Sequence, residues 1–587
     1  MSSLQTPSSE LPGLRKLSPK DQLQRAKAFS CLSNERNLSC EKVIWTGIFF
    51  DGTNNNKYRD TNDKSYSNVA VLYDAFRNSA KLGYFRFYIP GLGTPFPEIG
   101  EMTESDDGKS MGVGGDSRVH FAMIQIFNSI HQALFADAPL VSPAEVRSVI
   151  TSVDRGIKTV WLLGSTKRMA YFGQLKERLT AAIRNKRPVI KLINLSVFGF
   201  SRGAAESRAF ANWLLECCEN VNGAYLICGI PIRFQFLGIF DTVASVGLAD
   251  SSPVGDGFFD WADGTMKIPA YVERCVHFVA AHEIRQSFPL STGRHGNAYP
   301  SNCTEVVYPG AHCDVGGGYS PGDQGKSVVG RSHLASQVPL LNMYFEARKT
   351  GVPMLTMQEF EMLGDRESIK NFQISDELAL RFQCYSKWSR IAVKSVEDVL
   401  FENMRLYWRW RVQAGVAFKE LRSFKASNEQ DKEDLMASEK DFLTALESIK
   451  RARRQQGWIL GACLAAEAEM NKRLHVPVDV FDFFDEYIHD SHASFRLLGP
   501  ITADDRRVAI AKIKAKKSAG KALNKLEVRA LIADAASPGS FPVMRDSDIY
   551  DLYEMAGVVS STAVKAITDT RRETWGHIRN RKVFDKS

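Results

Sequence analysis

The chain lacks any run approaching the roughly 18 uninterrupted apolar residues of a membrane-spanning helix. The nearest, Gly457 to Ala466, is far shorter and ends in Glu467. The opening stretch, MSSLQTPSSELPGLRKLSPKDQLQ, has no apolar core of the kind a signal peptide carries, so synthesis in the cytoplasm without a cleaved signal is expected. Cysteine is sparse, with 10 in 587 residues, no C-x-x-C pair and no zinc-like cluster. That disfavours a dense disulfide framework and metal-dependent hydrolysis, and no metal or cofactor is expected. Cys31 and Cys40 could pair only in an oxidising compartment. Charge is also modest: 75 basic against 67 acidic residues leave +8. Such an excess suits an anionic membrane surface better than nucleic acid, whose binders show a stronger and more clustered one. The glycine loop Pro90-Gly91-Leu92-Gly93-Thr94 lacks the Lys-Ser/Thr of a P-loop and the spacing of a dinucleotide site. Internal repeats and low-complexity tracts are likewise missing.

What the chain does have is a strand, a sharp turn and a helix in immediate succession. PVIKLINLSVFGFSRGAAESRAFANW, residues 188–213, runs from β-branched and aromatic residues through Gly199-Phe200-Ser201-Arg202-Gly203 into an alanine-rich segment. G-x-S-x-G in this setting places the serine on strained backbone with its hydroxyl lifted clear, and side chains at the two glycines would collide with the neighbouring strand and helix. Ser201 is therefore the candidate nucleophile. The helix behind it aims free N–H groups at an oxyanion, the first being that of Arg202.

A nucleophilic serine needs a base and an orienting acid, which in α/β hydrolases follow in the order Ser, Asp/Glu, His. Ile232 to Phe240 reads as a buried strand delivering Asp241, and Glu305 to Tyr308 as another leading to His312 in a glycine-rich loop. His312 is the candidate base. Asp241 is favoured as the acid, while Asp250, a short loop later, and Asp314, two residues from the histidine, remain alternatives. Cys313 is a rival nucleophile by position, but lacks an elbow. The strand Val43 to Phe50 runs into Asp51-Gly52-Thr53-Asn54-Asn55-Asn56, whose Gly52 and Thr53 N–H groups are the best candidates for the second oxyanion donor.

FFDGTNN at 49–55, GFSRG at 199–203, FDTV at 240–243 and PGAHCDVGGG at 309–318 come in one order. Together they resemble the α/β-hydrolase family that includes the first class of type VI secretion lipase effectors, over residues 43 to 320. FFDEYIHDS at 483–491 is similar to the C-terminal part of such effectors. The resemblance implies a phospholipase hydrolysing fatty-acyl esters of membrane glycerophospholipids with Ser201, His312 and Asp241, and an antibacterial toxin delivered to the periplasm of a target cell. It also implies a VgrG-type spike as carrier and a cognate immunity protein. His489 and His492, within that last phrase, receive no catalytic role. Two alternatives stand beside this reading: a soluble carboxylesterase acting on small or carbohydrate esters, and a non-catalytic interaction protein on a hydrolase scaffold.

The expected fold is α/β: an α/β-hydrolase-like, mostly parallel sheet flanked by helices, with a helical C-terminal region. Residues 1–40 read as a polar arm and a candidate carrier contact. Residues 41–345 read as the catalytic domain, with an insertion at about 100–187 that serves as a cap or as helical padding. Residues 346–587 read as mainly helical. There Tyr407-Trp408-Arg409-Trp410 is core or an interfacial patch. Val508 to Ala535 is a lysine-rich amphipathic stretch, solvated or lying on anionic lipid, with Gly520 weakening its continuity.

Overall fold

A computed structural model describes residues 3–9, 17–30, 41–157, 161–245, 260–262, 264–285, 287–454, 475–493, 503–538 and 581–584. Eleven strands occur among them: β1 (Leu4–Gln5), β2 (Glu41–Phe50), β3 (Tyr84–Ile89), β4 (Val189–Phe200), β5 (Glu219–Val221), β6 (Ala224–Ile227), β7 (Ile230–Phe240), β8 (Cys275–Ala280), β9 (Leu290–Ser291), β10 (Cys303–Tyr308) and β11 (Val583–Phe584). The main sheet runs β1-β10-β8-β7-β4-β2-β3 with every neighbouring pair parallel. The β5–β6 hairpin adds antiparallel to the start of β7. The chain steps from β2 outward to β3, then returns through β4 to the other side of β2. Such a reversal opens a crevice at the carboxyl ends of the strands, where ligands of open α/β sheets bind.

Alternation along the strands explains the two layers. Ile44, Ile48, Phe50, Leu195, Val197 and Ile239 face one side and bury against helices Gly115–Gln132, Trp161–Ile183 and Arg202–Cys217. Trp45, Phe49, Phe198, Phe236 and Phe240 face the other, against helices Asn68–Ala75 and Gln337–Lys349. Phe49 and Phe198 stack across β2 and β4 with centroids 4.9 Å apart, worth about 0.5–1.5 kcal/mol beyond the area they bury.

Three further parts of the chain take definite places in this arrangement. The 100–187 insertion supplies a sheet-covering layer: almost every residue of Gly115–Gln132 is buried, because it packs on β2 and β3 and alongside the helix after Ser201. The polar arm contributes β1 to the sheet edge, Leu4 pairing with Glu305, and its helix Pro19–Ser30 packs on Gln337–Lys349. The C-terminal helices do not form a core of their own. Tyr407, Trp408, Trp410, Phe483 and Phe484 join the same apolar cluster as Phe198 and Phe236, so the aromatic run lies in the core.

A buried polar clamp fixes these helices. Arg411, on Val396–Gly415, pairs with Glu439 at 2.9 Å and with Asp490 at 2.7 Å, and Ser438 donates to the same Asp490 oxygen at 2.6 Å. The lysine-rich stretch is two helices, Ala503–Ser518 and Lys525–Ala536, broken where Gly520 takes φ +69°. No helix among the described residues is long and apolar enough to cross a membrane.

Candidate active site

Strand register brings the expected residues together. Phe50 pairs with Gly199, Phe200 with Phe240, and Phe240 with Phe278, so the carboxyl ends of β2, β4 and β7 lie nearly level, with β8 running two residues further. The next residue after three of these strands is Asp51, Ser201 and Asp241. Ser201 sits at φ 58°, ψ −125°, a left-handed conformation that a non-glycine residue adopts only when its surroundings enforce it. The enforcement is visible at the flanking glycines. A Cβ on Gly199 would lie 2.4 Å from the Gly203 carbonyl oxygen, and one on Gly203 would lie 2.3 Å from the Asp51 carbonyl oxygen. The Ser201 N–H donates to the Phe240 carbonyl at 3.0 Å, and Val243 N–H donates to the Ser201 carbonyl at 3.3 Å. Helix Arg202–Cys217 begins at once, and its first N–H groups have no intrahelical acceptor.

Asp241 also has a positive φ, 42°. Its Oδ2 lies 2.5 Å from His312 Nδ1, and both side chains are buried. Oδ1 accepts the Ala280 N–H at 2.9 Å. Arg581 binds both oxygens, Nη1 to Oδ1 at 2.6 Å and Nη2 to Oδ2 at 2.8 Å. Burial pushes the Asp241 carboxyl upward, but the Arg581 charge and the His312 hydrogen bond outweigh it and hold the group well below the usual carboxylate range. Burial lowers the His312 pKa below its ordinary value of 6.5, against the opposing pull of Asp241. A neutral ring with Nδ1–H on Asp241 leaves Nε2 as a base, and that nitrogen is buried with no hydrogen-bond partner among the described residues. The ring is held between Phe200 and Phe288, at centroid distances of 4.6 and 5.0 Å.

His312 was expected in a loop; it opens the short helix His312–Gly316. Asp314 caps that helix from within, its Oδ2 accepting the Ala311 N–H at 2.9 Å. Asp314 faces His489 rather than His312, and Asp250 lies outside the described residues, as do Cys31 and Cys40. Burial pushes the Cys313 thiol up to about 12, which removes its claim as a nucleophile.

The expectation for Gly52 is corrected. Its N–H donates to Asp51 Oδ1 at 2.8 Å and is already committed. The Asp51 carboxylate also accepts from Ser67 and Tyr88, each at 2.5 Å, and so acts as an internal staple of the loop. Thr53 follows at the rim, its Oγ1 buried without a partner among the described residues. Sequence reading missed Arg581, 340 residues from Asp241 and one of 75 basic residues, and nothing in its local pattern marks it. It also missed the buried ion pair Glu283–Arg285, whose Glu283 Oε2 accepts the His312 N–H at 3.3 Å. Among the described residues no cluster of His, Cys, Asp and Glu could hold a metal ion.

Comparison with known proteins places this geometry in context. Residues 225–346, the stretch containing Asp241 and His312, match the model of the catalytic domain of Tle1-like phospholipase effectors of type VI secretion. No curated protein matches the chain. An uncharacterized protein from Pseudomonas aeruginosa has a similar solved structure: TM-score 0.65 and 27% identity, covering 99% of this chain and 85% of that one. A solved Tle1 effector, bound to the VgrG spike of the type VI secretion system, aligns at TM-score 0.33 and 17% identity, covering 66% of this chain and 87% of that one. The likeness of the matched segment is thus to phospholipase effectors of type VI secretion.

Proposed function

We propose that the chain is a serine phospholipase effector in which Ser201, His312 and Asp241 hydrolyse fatty-acyl esters of membrane glycerophospholipids. The observation that carries this reading is the 2.5 Å contact between His312 Nδ1 and Asp241, at the same sheet edge as the positive-φ Ser201. The family match over 225–346 supports the substrate class. In the forward step His312 Nε2 takes the Ser201 proton as Oγ attacks the acyl carbonyl carbon. The oxyanion is received by the Arg202 N–H and the Thr53 N–H, each such donor being worth about 10²–10³ in rate. The imidazolium, steadied by Asp241, then protonates the departing lysophospholipid oxygen. Water activated by the same nitrogen releases the fatty acid and restores Ser201.

The finer proposals rest on the resemblance of the sequence motifs to type VI secretion lipase effectors. The enzyme acts in the periplasm of a competing bacterium, a VgrG-type spike of the kind the solved Tle1 effector binds carries it, and an immunity protein shields the producer. Fatty-acid release from phospholipid vesicles by the purified protein, beside Ser201→Ala and His312→Ala, tests the chemistry. Release abolished in both variants supports the reading. Wild-type turnover of small soluble esters without vesicle hydrolysis would overturn the phospholipase assignment. Periplasmic expression of wild type and Ser201→Ala tests toxicity, expected only of the wild type.

A further inference from the structure

The segment at residues 581–584 is bound directly beneath the site. Val583 and Phe584 pair in parallel with Leu290 and Ser291, the Leu290 N–H donating to the Lys582 carbonyl at 2.8 Å. That short ribbon is itself anchored beside Asp241 and on the helix after Ser201: Ser291 N–H donates to Thr242 O at 2.9 Å, and Arg208, on that helix, donates to Ser291 O at 2.8 Å. The anchoring delivers the Arg581 side chain, 1% exposed, to Asp241, 0% exposed. Its Nε is held by the Phe288 carbonyl at 2.9 Å, and Nη1 also reaches the Ala280 carbonyl at 3.1 Å. Four donors then saturate the carboxylate: His312 Nδ1, the Ala280 N–H and both arms of the guanidinium. A planar fork on both oxygens fixes the carboxylate plane, and with it the plane of the imidazole that Oδ2 holds.

We propose that Arg581 is a positioning residue of the reaction, setting the orientation and the protonation of His312 through Asp241. This rests on the catalytic roles assigned above to His312 and Asp241. The charged groups around the imidazole are Asp241 after β7, Glu283 and Arg285 after β8, and Arg581 beside β11; Asp314, on its own helix, is turned to His489. These are two neutral ion pairs. Removing Arg581 leaves His312 facing one uncompensated carboxylate, which stabilises the imidazolium and takes away the resting base. Retaining charge without the fork preserves the protonation state but loosens the geometry.

The test is titration of the His312 imidazole by NMR of ¹⁵N-histidine-labelled full-length protein, assigned with His312→Gln, beside pH profiles of kcat and KM. Arg581→Gln is expected to raise the His312 midpoint by about one unit and to move the acid limb of kcat/KM with it. Arg581→Lys is expected to restore the midpoint while kcat stays down about tenfold, with KM little changed. An unmoved His312 midpoint in folded Arg581→Gln would overturn the proposal. Should that variant not fold, Arg581→Lys decides alone, and wild-type kcat in it would be the overturning result. A wild type that releases no fatty acid sinks the phospholipase reading, yet the His312 titration still reports on Arg581.

Discussion

His489 Nδ1 lies 2.7 Å from Asp314 Oδ1, joining residues 175 positions apart just beside the candidate base. Asp314 Oδ2 accepts two more N–H groups, from Ala311 at 2.9 Å and from His489 at 3.0 Å. Tyr319 stacks on the His489 ring at 3.7 Å. The loop carrying His312 is therefore clamped by the C-terminal region, which gives the HDSH phrase a structural rationale. Because Asp314 touches His312 only through the backbone between them, its loss should misplace the base without emptying the site. Asp314→Asn and His489→Ala should each lower kcat about 10- to 100-fold with a small change in KM, measured by steady-state hydrolysis on correctly folded protein.

The elbow allows a sharper steric test. A Cβ at Gly203 would lie 2.3 Å from the Asp51 carbonyl oxygen and 2.5 Å from that of Phe50, both backbone atoms that cannot step aside. Gly203→Ala should destabilise by about 1–3 kcal/mol and remove most activity, as read from chemical denaturation and turnover. Gly173, on helix Trp161–Ile183, would meet nothing within 4 Å. Gly173→Ala should therefore stabilise by about 0.4–1 kcal/mol and leave activity intact.

These two contacts mark where the sequence was legible and where it was not. The elbow and the strands leading to Ser201 and Asp241 announce themselves locally, because a G-x-S-x-G turn and a β-branched run each follow from nearest-neighbour sterics. The parallel order of the strands is legible too, since β2, β4 and β7 are separated by helical segments long enough for crossovers. β8 went unread: Cys275–Ala280 is short and has a histidine in its middle, His277, whose burial is compensated by Glu305 at 2.8 Å from a neighbouring strand. Gly52 was misread because its acceptor is the side chain of the preceding residue, fixed in turn by Ser67 and Tyr88 from elsewhere. Arg581 was invisible for the same reason. A guanidinium's partner is set by topology, and nothing in RNRKVF specifies Asp241.

Asp51 supplies a prediction for stability against pH. Burial raises its carboxyl from 3.8 to about 6, despite the three hydrogen bonds it accepts. A raised acid binds its proton in the folded state first, so its charged form weighs on the fold above about pH 6 and that burden lifts as pH falls toward 4. Asp51→Asn cannot titrate, and one side of its amide opposes donors. The variant should be less stable than wild type throughout, and the gap should be wider at pH 4.5 than at pH 7.5 by about 1–3 kcal/mol. Urea denaturation at the two pH values measures it; an equal gap would contradict the buried, titrating carboxylate.

The pH dependence of turnover follows from His312 and Asp241 together. In the proposed mechanism His312 must be neutral to accept the Ser201 proton, and its pKa is lowered by burial more than Asp241 raises it. The rate-limiting protonation on the acid side should accordingly appear below the ordinary histidine value of 6.5, and activity should persist at pH 6. Asp241 stays ionised across that range, because Arg581 and His312 hold it below the carboxylate range. A single acid limb of unit slope is expected in kcat/KM between pH 4 and 8, with no second step from the carboxylate. Replacing Asp241 by Asn removes the charge that favours imidazolium and lets the amide N–H face His312 Nδ1. The ring is then driven toward the tautomer protonated at Nε2, which cannot serve as base. Turnover should fall about 10⁴-fold, as in the serine protease triad, and stability should fall as well, because the buried Arg581 loses its counter-ion. Stopped-flow or pH-stat assays of wild type and Asp241→Asn across that range measure both effects. An acid limb above pH 7 in the wild type would place the base elsewhere than His312, and full activity in Asp241→Asn would remove Asp241 as its orienting acid.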